Sequence, residues 1–333
     1  MERRKLGSGP EVSALGLGLM GMSDFYGPAD EQESLATIAE ALDAGITLLD
    51  TGDFYGMGHN ELLLREALRG RPRDQVVISV KFGALRGPNG AFLGIDGRPA
   101  FVKSSLAYTL RRLGTAHVDI YRPARVDPKV PIEDTVGAIS ELIRAGHVRH
   151  LGLSEASAAT VRRAHAVHPV VDLQIEYSLI SRGVEAQILP TLRELGIGVT
   201  AYGVLSRGLL TEGALAGQSR SGFRAHLPRF QGENLQRNLA LVEALRGIAA
   251  ERGTTVSQLA IAWVASRGRD ILPLIGARRR DRLHEALAAR EVHLSAEELA
   301  RIEAAVPAGA ASGDRYAAEQ MAMLDSERKP VED

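Results

Sequence analysis

The chain has 333 residues, 45% hydrophobic and 24% charged, with a formal net charge of −1 and no cysteine. That length carries one large core or two domains, and the absence of cysteine excludes disulfides and thiolate metal sites. Near-neutral charge speaks against nucleic-acid or membrane-surface binding, which need a basic face. The N-terminal "MERRKLGSGPEVS" lacks an apolar h-region, and no later stretch holds 18 uninterrupted apolar residues, so a cytoplasmic protein is expected.

Eight short apolar runs are read as strands: 12–18, 46–50, 76–81, 118–121, 148–154, 170–176, 198–202 and 271–276. They are too short for lone helices and dense in β-branched residues. Between them lie amphipathic helical patterns at 31–45, 130–146, 157–168 and 237–253. Leu35, Ile38, Ala39 and Leu42 share one face of the first. Eight strands alternating with helices predict a parallel (β/α)8 barrel, an α/β TIM-barrel fold spanning 1–333 as a single domain, with a tail from about 307.

Two stretches break the rhythm. Residues 82–99 and 203–235 are rich in glycine and proline and follow strand C-termini, where barrel enzymes carry their active sites. A short helix is expected in the tail around 316–324.

"GLGLMG" (16–21) fits the dinucleotide-binding glycine pattern, but the helix that should follow begins only near Asp30. The strand–turn–helix context therefore fails, and a strand entering an active-site loop is the better reading.

In "LLDTGDFYGMGHN" Asp50 ends a strand and Tyr55 lies five residues on, while Lys81 ends the next strand. On adjacent barrel strands Asp50 and Lys81 face each other at the C-terminal mouth beneath Tyr55. A buried lysine is stable there as an ion pair, and its charge is expected to lower the phenol pKa and make Tyr55 a general acid. Taken singly, such residues are most often surface residues. The cluster "ARRRDR" (277–282) follows the last strand, where barrels bind phosphate, though any one of its arginines also suits a solvated helix face.

The strings "GLGLMGMSDFYG", "GITLLDTGDFYG", "SVKFG", "VDPKVPIEDT", "LGLSEAS", "LQIEYSL", "PRFQGENL" and "PLIGARRRDRLHEAL" resemble the aldo-keto reductase superfamily, in an NADPH-dependent branch, over about residues 3–307. The resemblance implies an N-terminal β-hairpin across the barrel bottom (about 3–15) and NADPH/NADP+ extended over the strand C-termini. It implies reduction of a small-molecule aldehyde or ketone by hydride transfer, with Tyr55 as acid assisted by Lys81 and Asp50, and no metal. By position Ser154, Glu155 and Gln174 would hold the carboxamide, and Tyr202 would stack on the nicotinamide. Gly21 and Met22 would lie near the cofactor, Arg278 and Arg282 would take the 2′-phosphate, and Glu285 the adenine amino group.

The chain departs from the family at several points. The family pattern at 121–127 places a catalytic histidine at position 124, where this chain has Ala124. Ala286 stands for the usual asparagine, Ala277 for a hydroxyl residue, and Gly203 and Val204 for Ser-Pro in the pyrophosphate loop. A lost donor to the carbonyl costs about 2–4 kcal/mol of transition-state stabilisation. Water or Arg122 could replace it, the latter only if Pro123 does not end the strand. Phe25, Tyr26 and Phe54 are candidates for the substrate pocket. Two other functions stay open: a redox-silent NADP-binding regulatory protein, and an enzyme using bound NADP for isomerisation, elimination or C=C reduction. The substrate and the oligomeric state are not readable.

Overall fold

The computed structural model describes residues 1–215 and 222–328. Parts of the predicted 203–235 loop and of the tail lie outside that range. Among the described residues twelve strands form: β1 (Arg3–Lys5), β2 (Glu11–Ser13), β3 (Gly16–Gly18), β4 (Leu48–Gly52), β5 (Val77–Phe82), β6 (Ala84–Arg86), β7 (Phe92–Ile95), β8 (Val118–Pro123), β9 (Val148–Ser154), β10 (Val170–Glu176), β11 (Gly198–Tyr202) and β12 (Ile271–Gly276). Eight of these close into a parallel barrel in the order β3-β4-β5-β8-β9-β10-β11-β12. No helix among the described residues is long and apolar enough to cross a membrane.

The run 12–18, read as one strand, is two. It breaks at Ala14–Leu15, where Ser13 and Thr47 exchange backbone-to-hydroxyl hydrogen bonds in place of a ladder. The first part pairs as β2 with β1 in the expected hairpin. Gly7 seats that hairpin against the strand starts, because its φ is +52° and an added Cβ would lie 2.5 Å from Val171 O. Gly16, the first glycine of the dinucleotide-like pattern, is needed for packing: a Cβ there would come 2.9 Å from Leu48 Cδ2. The helix after this strand, Glu31–Asp43, starts only at its N-cap Asp30, whose carboxylate accepts from Glu33 N at 2.8 Å.

Two other regions differ from expectation. Residues 82–99 contain an antiparallel ribbon, β6–β7, whose register shifts between Leu85 and Arg86. Strands of three and four residues with a shift give too little alternation to be seen in sequence. The tail helix is a single turn, Ala318–Met321.

Candidate active site at the barrel mouth

The barrel interior is closed below the mouth by hydrogen-bonded charges. In the strand register Asp50 faces Ser79, and Lys81 faces Arg122. Lys81 Nζ pairs with Asp50 Oδ1 in a contact buried on both sides. Ser79 Oγ and Gln174 Nε2 each donate to Asp50 Oδ2 at 2.8 Å. One layer down, Arg122 donates to Asp172 Oδ2 at 3.1 Å, to Leu153 O and to Ser79 Oγ. Gly152 makes room for this pair, since a Cβ there would sit 2.7 Å from Asp172 Oδ1.

Arg122 therefore does not reach a substrate. The strand does stay extended through Pro123, which keeps Arg122 and Ala124 on one face. The guanidinium, however, is fully buried and held by Asp172. Ala124 itself is buried, at 3% exposure, and its N–H donates to Phe82 O.

Tyr55 opens a tight turn, Tyr55–Gly58, in which Gly56, Met57 and Gly58 all have positive φ. Gly52 allows the ring to come close, as a Cβ there would lie 3.3 Å from Tyr55 Cζ. Lys81 Nζ stands 5.5 Å from the ring centroid, and the phenol oxygen has no hydrogen-bond partner among the described residues. The expected acidification of this phenol is not found. Burial pushes its pKa well above 10, Asp50 adds to the rise, and the Arg125 guanidinium only partly opposes them. Burial is the main reason, and charge balance adds to it: Asp50 pairs with Lys81 at contact, so the pair offers the ring little net positive field. Burial also lowers Lys81, to about 8, against the opposing pull of Asp50.

Above this floor the mouth is crowded by arginines. Arg207 pairs with Glu176 at 2.7 Å. Arg315, from the tail, pairs with Glu155 at 2.5 Å and with Glu176 at 3.2 Å. Burial alone would raise the Glu155 carboxyl, but Arg315 holds it far below the usual carboxylate range. Gly203 fits here because a Cβ would press on Glu176 Cγ at 3.0 Å, and its φ is +66°. Tyr202 OH donates to Glu155 Oε1 at 2.7 Å, so the 3.0 Å contact with Tyr316 is donated by the Tyr316 hydroxyl. Arg207 lies 4.2 Å over the Tyr316 ring.

The proposed nicotinamide ligands divide into two groups. Ser154 Oγ is buried with no partner among the described residues, and Gln174 has spent only its amide nitrogen. Both fit a carboxamide. Glu155 does not, because its carboxylate is already filled by protein donors. Met22 is buried in the core, while Gly21 packs on Tyr26. Phe25 touches Phe223 edge to face at 5.5 Å and Tyr26 lies under Arg224, joining the loop after β3 to the 203–235 loop. Phe54 stands edge to face on Tyr55 at 4.7 Å.

An open cavity of ≈ 890 Å³ lies beyond β12, lined in part by Asp30, Glu33, Arg278, Arg279, Arg280 and His284. Arg278 donates to the carbonyls of Tyr26, Gly27 and Pro28. Arg279 and Arg280 pair with Asp281 and Glu33. Arg282 pairs with Glu285, which also accepts from Thr255, and neither of the two lines the cavity.

An ion-paired lysine thus lies under a buried phenol at the mouth of a closed barrel of eight parallel strands. The profile of the Aldo/keto reductase family matches residues 14–307, and the chain belongs to that family. Its fold is similar to a glycerol dehydrogenase from Gluconobacter oxydans, with 26% identity, 99% of this chain and 98% of that one covered, and a TM-score of 0.82. An aldo-keto reductase from Bacillus halodurans, solved in its holo form, matches at 27% identity over 92% and 97% with a TM-score of 0.77. A thermostable aldo-keto reductase in complex with the inhibitor epalrestat matches at 28% over 92% and 100%, with a TM-score of 0.74. The family is one of oxidoreductases that generally bind NAD(P)H and act on small carbonyl compounds.

Proposed function

We propose that this chain reduces a small aldehyde or ketone with NADPH, Tyr55 delivering the proton without help from an imidazole. The observation that carries this reading is the buried Asp50–Lys81 pair set beneath the unpartnered Tyr55 hydroxyl. When bound, the cofactor supplies the hydride; Ser154 Oγ and Gln174 Oε1 present the donor and acceptor that hold its carboxamide.

Tyr55 need not be acidic to work. A phenol with a raised pKa stays fully protonated at neutral pH, and a developing alkoxide is far more basic than a phenolate. Proton transfer from Tyr55 Oη is therefore downhill once charge builds on the carbonyl oxygen. What the site must do is tolerate the phenolate left behind. Lys81 keeps Asp50 from opposing it, and Arg125 favours it; the Arg125 side chain hydrogen-bonds Ala124 O and lies within the electrostatic reach of Tyr55. Choice of NADPH over NADH rests on Arg278, which has no carboxylate partner among the described residues and lines the cavity beyond β12.

The test is NADPH oxidation across a panel of aldehydes and ketones. Turnover with some of them, lost in Tyr55→Phe while NADPH still binds, supports the reading. Tight NADPH binding with no turnover on any carbonyl points to the redox-silent function.

A further inference from the structure

The C-terminal segment is built into the mouth at several separate points. Asn238 brackets Ser312, accepting its N–H at 2.8 Å and donating to its carbonyl at 2.9 Å. Arg229 Nε donates to Gly313 O, and Asp325 accepts the N–H of Ser157 at the start of helix Ala158–Val167. Ser326 N donates to the carbonyl of Glu155 at 3.0 Å. Leu324 is buried, at 1% exposure.

Glu155 is the centre of these contacts. Its Oε1 accepts from Arg315 Nη1 at 2.9 Å, Tyr202 OH at 2.7 Å and Glu176 N at 3.0 Å. Its Oε2 accepts from Arg315 Nη2 at 2.5 Å and Ser326 Oγ at 2.6 Å. A carboxylate offers about four lone-pair sites, so these donors leave none for a ligand. The residue also holds a left-handed φ of +51°, rare for a glutamate, which fixes the direction of its side chain.

We infer that Glu155 is the anchor of the C-terminal segment and not a ligand of the cofactor, and that Arg315, acting through Glu155, holds Tyr202 and makes residues 312–327 a fixed roof over the cleft. The inference rests on the reductase reading only for what lies beneath the roof. Arg315 and Tyr316 are then positioning residues: they never touch the reacting atoms, but they set the height of the Tyr202 ring and the clearance above it. A roof that had to leave before the cofactor entered would strip Glu155 of Arg315 and Ser326 and leave a buried carboxylate without its cation, a costly intermediate.

Amide hydrogen exchange over 312–327 and NADPH binding by fluorescence test this together. The inference expects the segment to be protected in the free protein and to stay protected, or gain protection, as NADPH is added. Glu155→Gln and Arg315→Met should each deprotect it and each weaken NADPH by about 5-fold, the effect of one lost positioning contact. Their combination should fall short of the sum of the two single effects, since both remove the Arg315–Glu155 link. Tyr316→Phe, which leaves the anchor whole, should retain protection and change NADPH affinity less. Two results overturn the inference: loss of protection on NADPH addition, or an affinity loss confined to Glu155→Gln with Arg315→Met unchanged. A protein that binds no NADPH defeats the reductase reading instead, while deprotection in Glu155→Gln still decides the anchor.

Discussion

The barrel floor and the barrel mouth solve the same electrostatic problem by different means. Both bury ion pairs: Arg122–Asp172 below, at 0% exposure for both side chains, and Arg315–Glu155 above, at 8% and 0%. On the floor every partner comes from a barrel strand, so register alone brings Asp50, Ser79, Lys81, Arg122 and Asp172 together. At the mouth Glu155 meets a residue 160 positions away in the chain, through backbone that takes positive φ at Glu155, Ser206 and Arg207. The floor follows from strand register; the mouth depends on contacts between loops and tail. Buried charge at a mouth is therefore no sign by itself of a group waiting for substrate.

The comparison can be broken most sharply at Tyr55. Tyr55→Phe should lower kcat by about 100- to 10,000-fold, the usual range for a general acid, with NADPH affinity unchanged. A small effect moves the acid elsewhere in the mouth. The floor is expected to be the less forgiving region for stability. Arg122→Met leaves Asp172 buried without its cation and should cost about 3–5 kcal/mol in denaturant unfolding, with partial recovery in the Arg122→Met/Asp172→Asn double variant. No recovery means the two residues do not act as a pair.

Ala124→His tests whether the floor's upper edge lacks only a donor. A kcat gain of about 30- to 1,000-fold on small aldehydes is expected if it does, the equivalent of the 2–4 kcal/mol of a single oxyanion donor. A fall shows that the space is used by the substrate.

The pH profile distinguishes the two layers further. Tyr55 stays protonated through neutral and moderately alkaline pH because burial raises it, so the alkaline limb belongs to Lys81, at about 8. Below that value the ammonium balances Asp50; above it Asp50 stands unopposed and disfavours the phenolate, so kcat/KM for reduction should fall. Asp50→Asn should move this limb to lower pH, because Asp50 holds the Lys81 ammonium up against burial.

The smallest expected effect concerns Asp53, beside the mouth. Burial raises its carboxyl to about 7, against an opposing hydrogen bond from Ser105. A folded-state pKa above the unfolded one contributes stability that is present below about pH 4 and lost as pH rises through 7. Asp53→Asn should therefore raise the midpoint of thermal unfolding at pH 8 more than at pH 5.

The same division explains what could be read from sequence. Asp50 and Lys81 were legible because strand ends at a two-residue period announce which side chains share the barrel axis. The Gly16–Gly21 pattern could be set aside because no helix followed it. Ala124 stood out only against a family pattern. Arg122 was misplaced even though the strand stays extended through Pro123, as that placement required, because Asp172, on another strand, claims the guanidinium. The saturation of the Glu155 carboxylate was not legible, since several of the donors that fill it come from residues 315 and 326. The β6–β7 ribbon was missed because its strands are too short to show a period. The depressed phenol pKa failed as an expectation because it weighed the Lys81 charge and not the burial of the ring, to which Asp50 adds.

The most direct test of a phenol working over a neutralised ion pair is a single turnover, with enzyme-bound NADPH mixed against excess aldehyde. Wild type should oxidise the cofactor in a burst that Tyr55→Phe abolishes at equal occupancy. An undiminished burst in Tyr55→Phe would contradict the account.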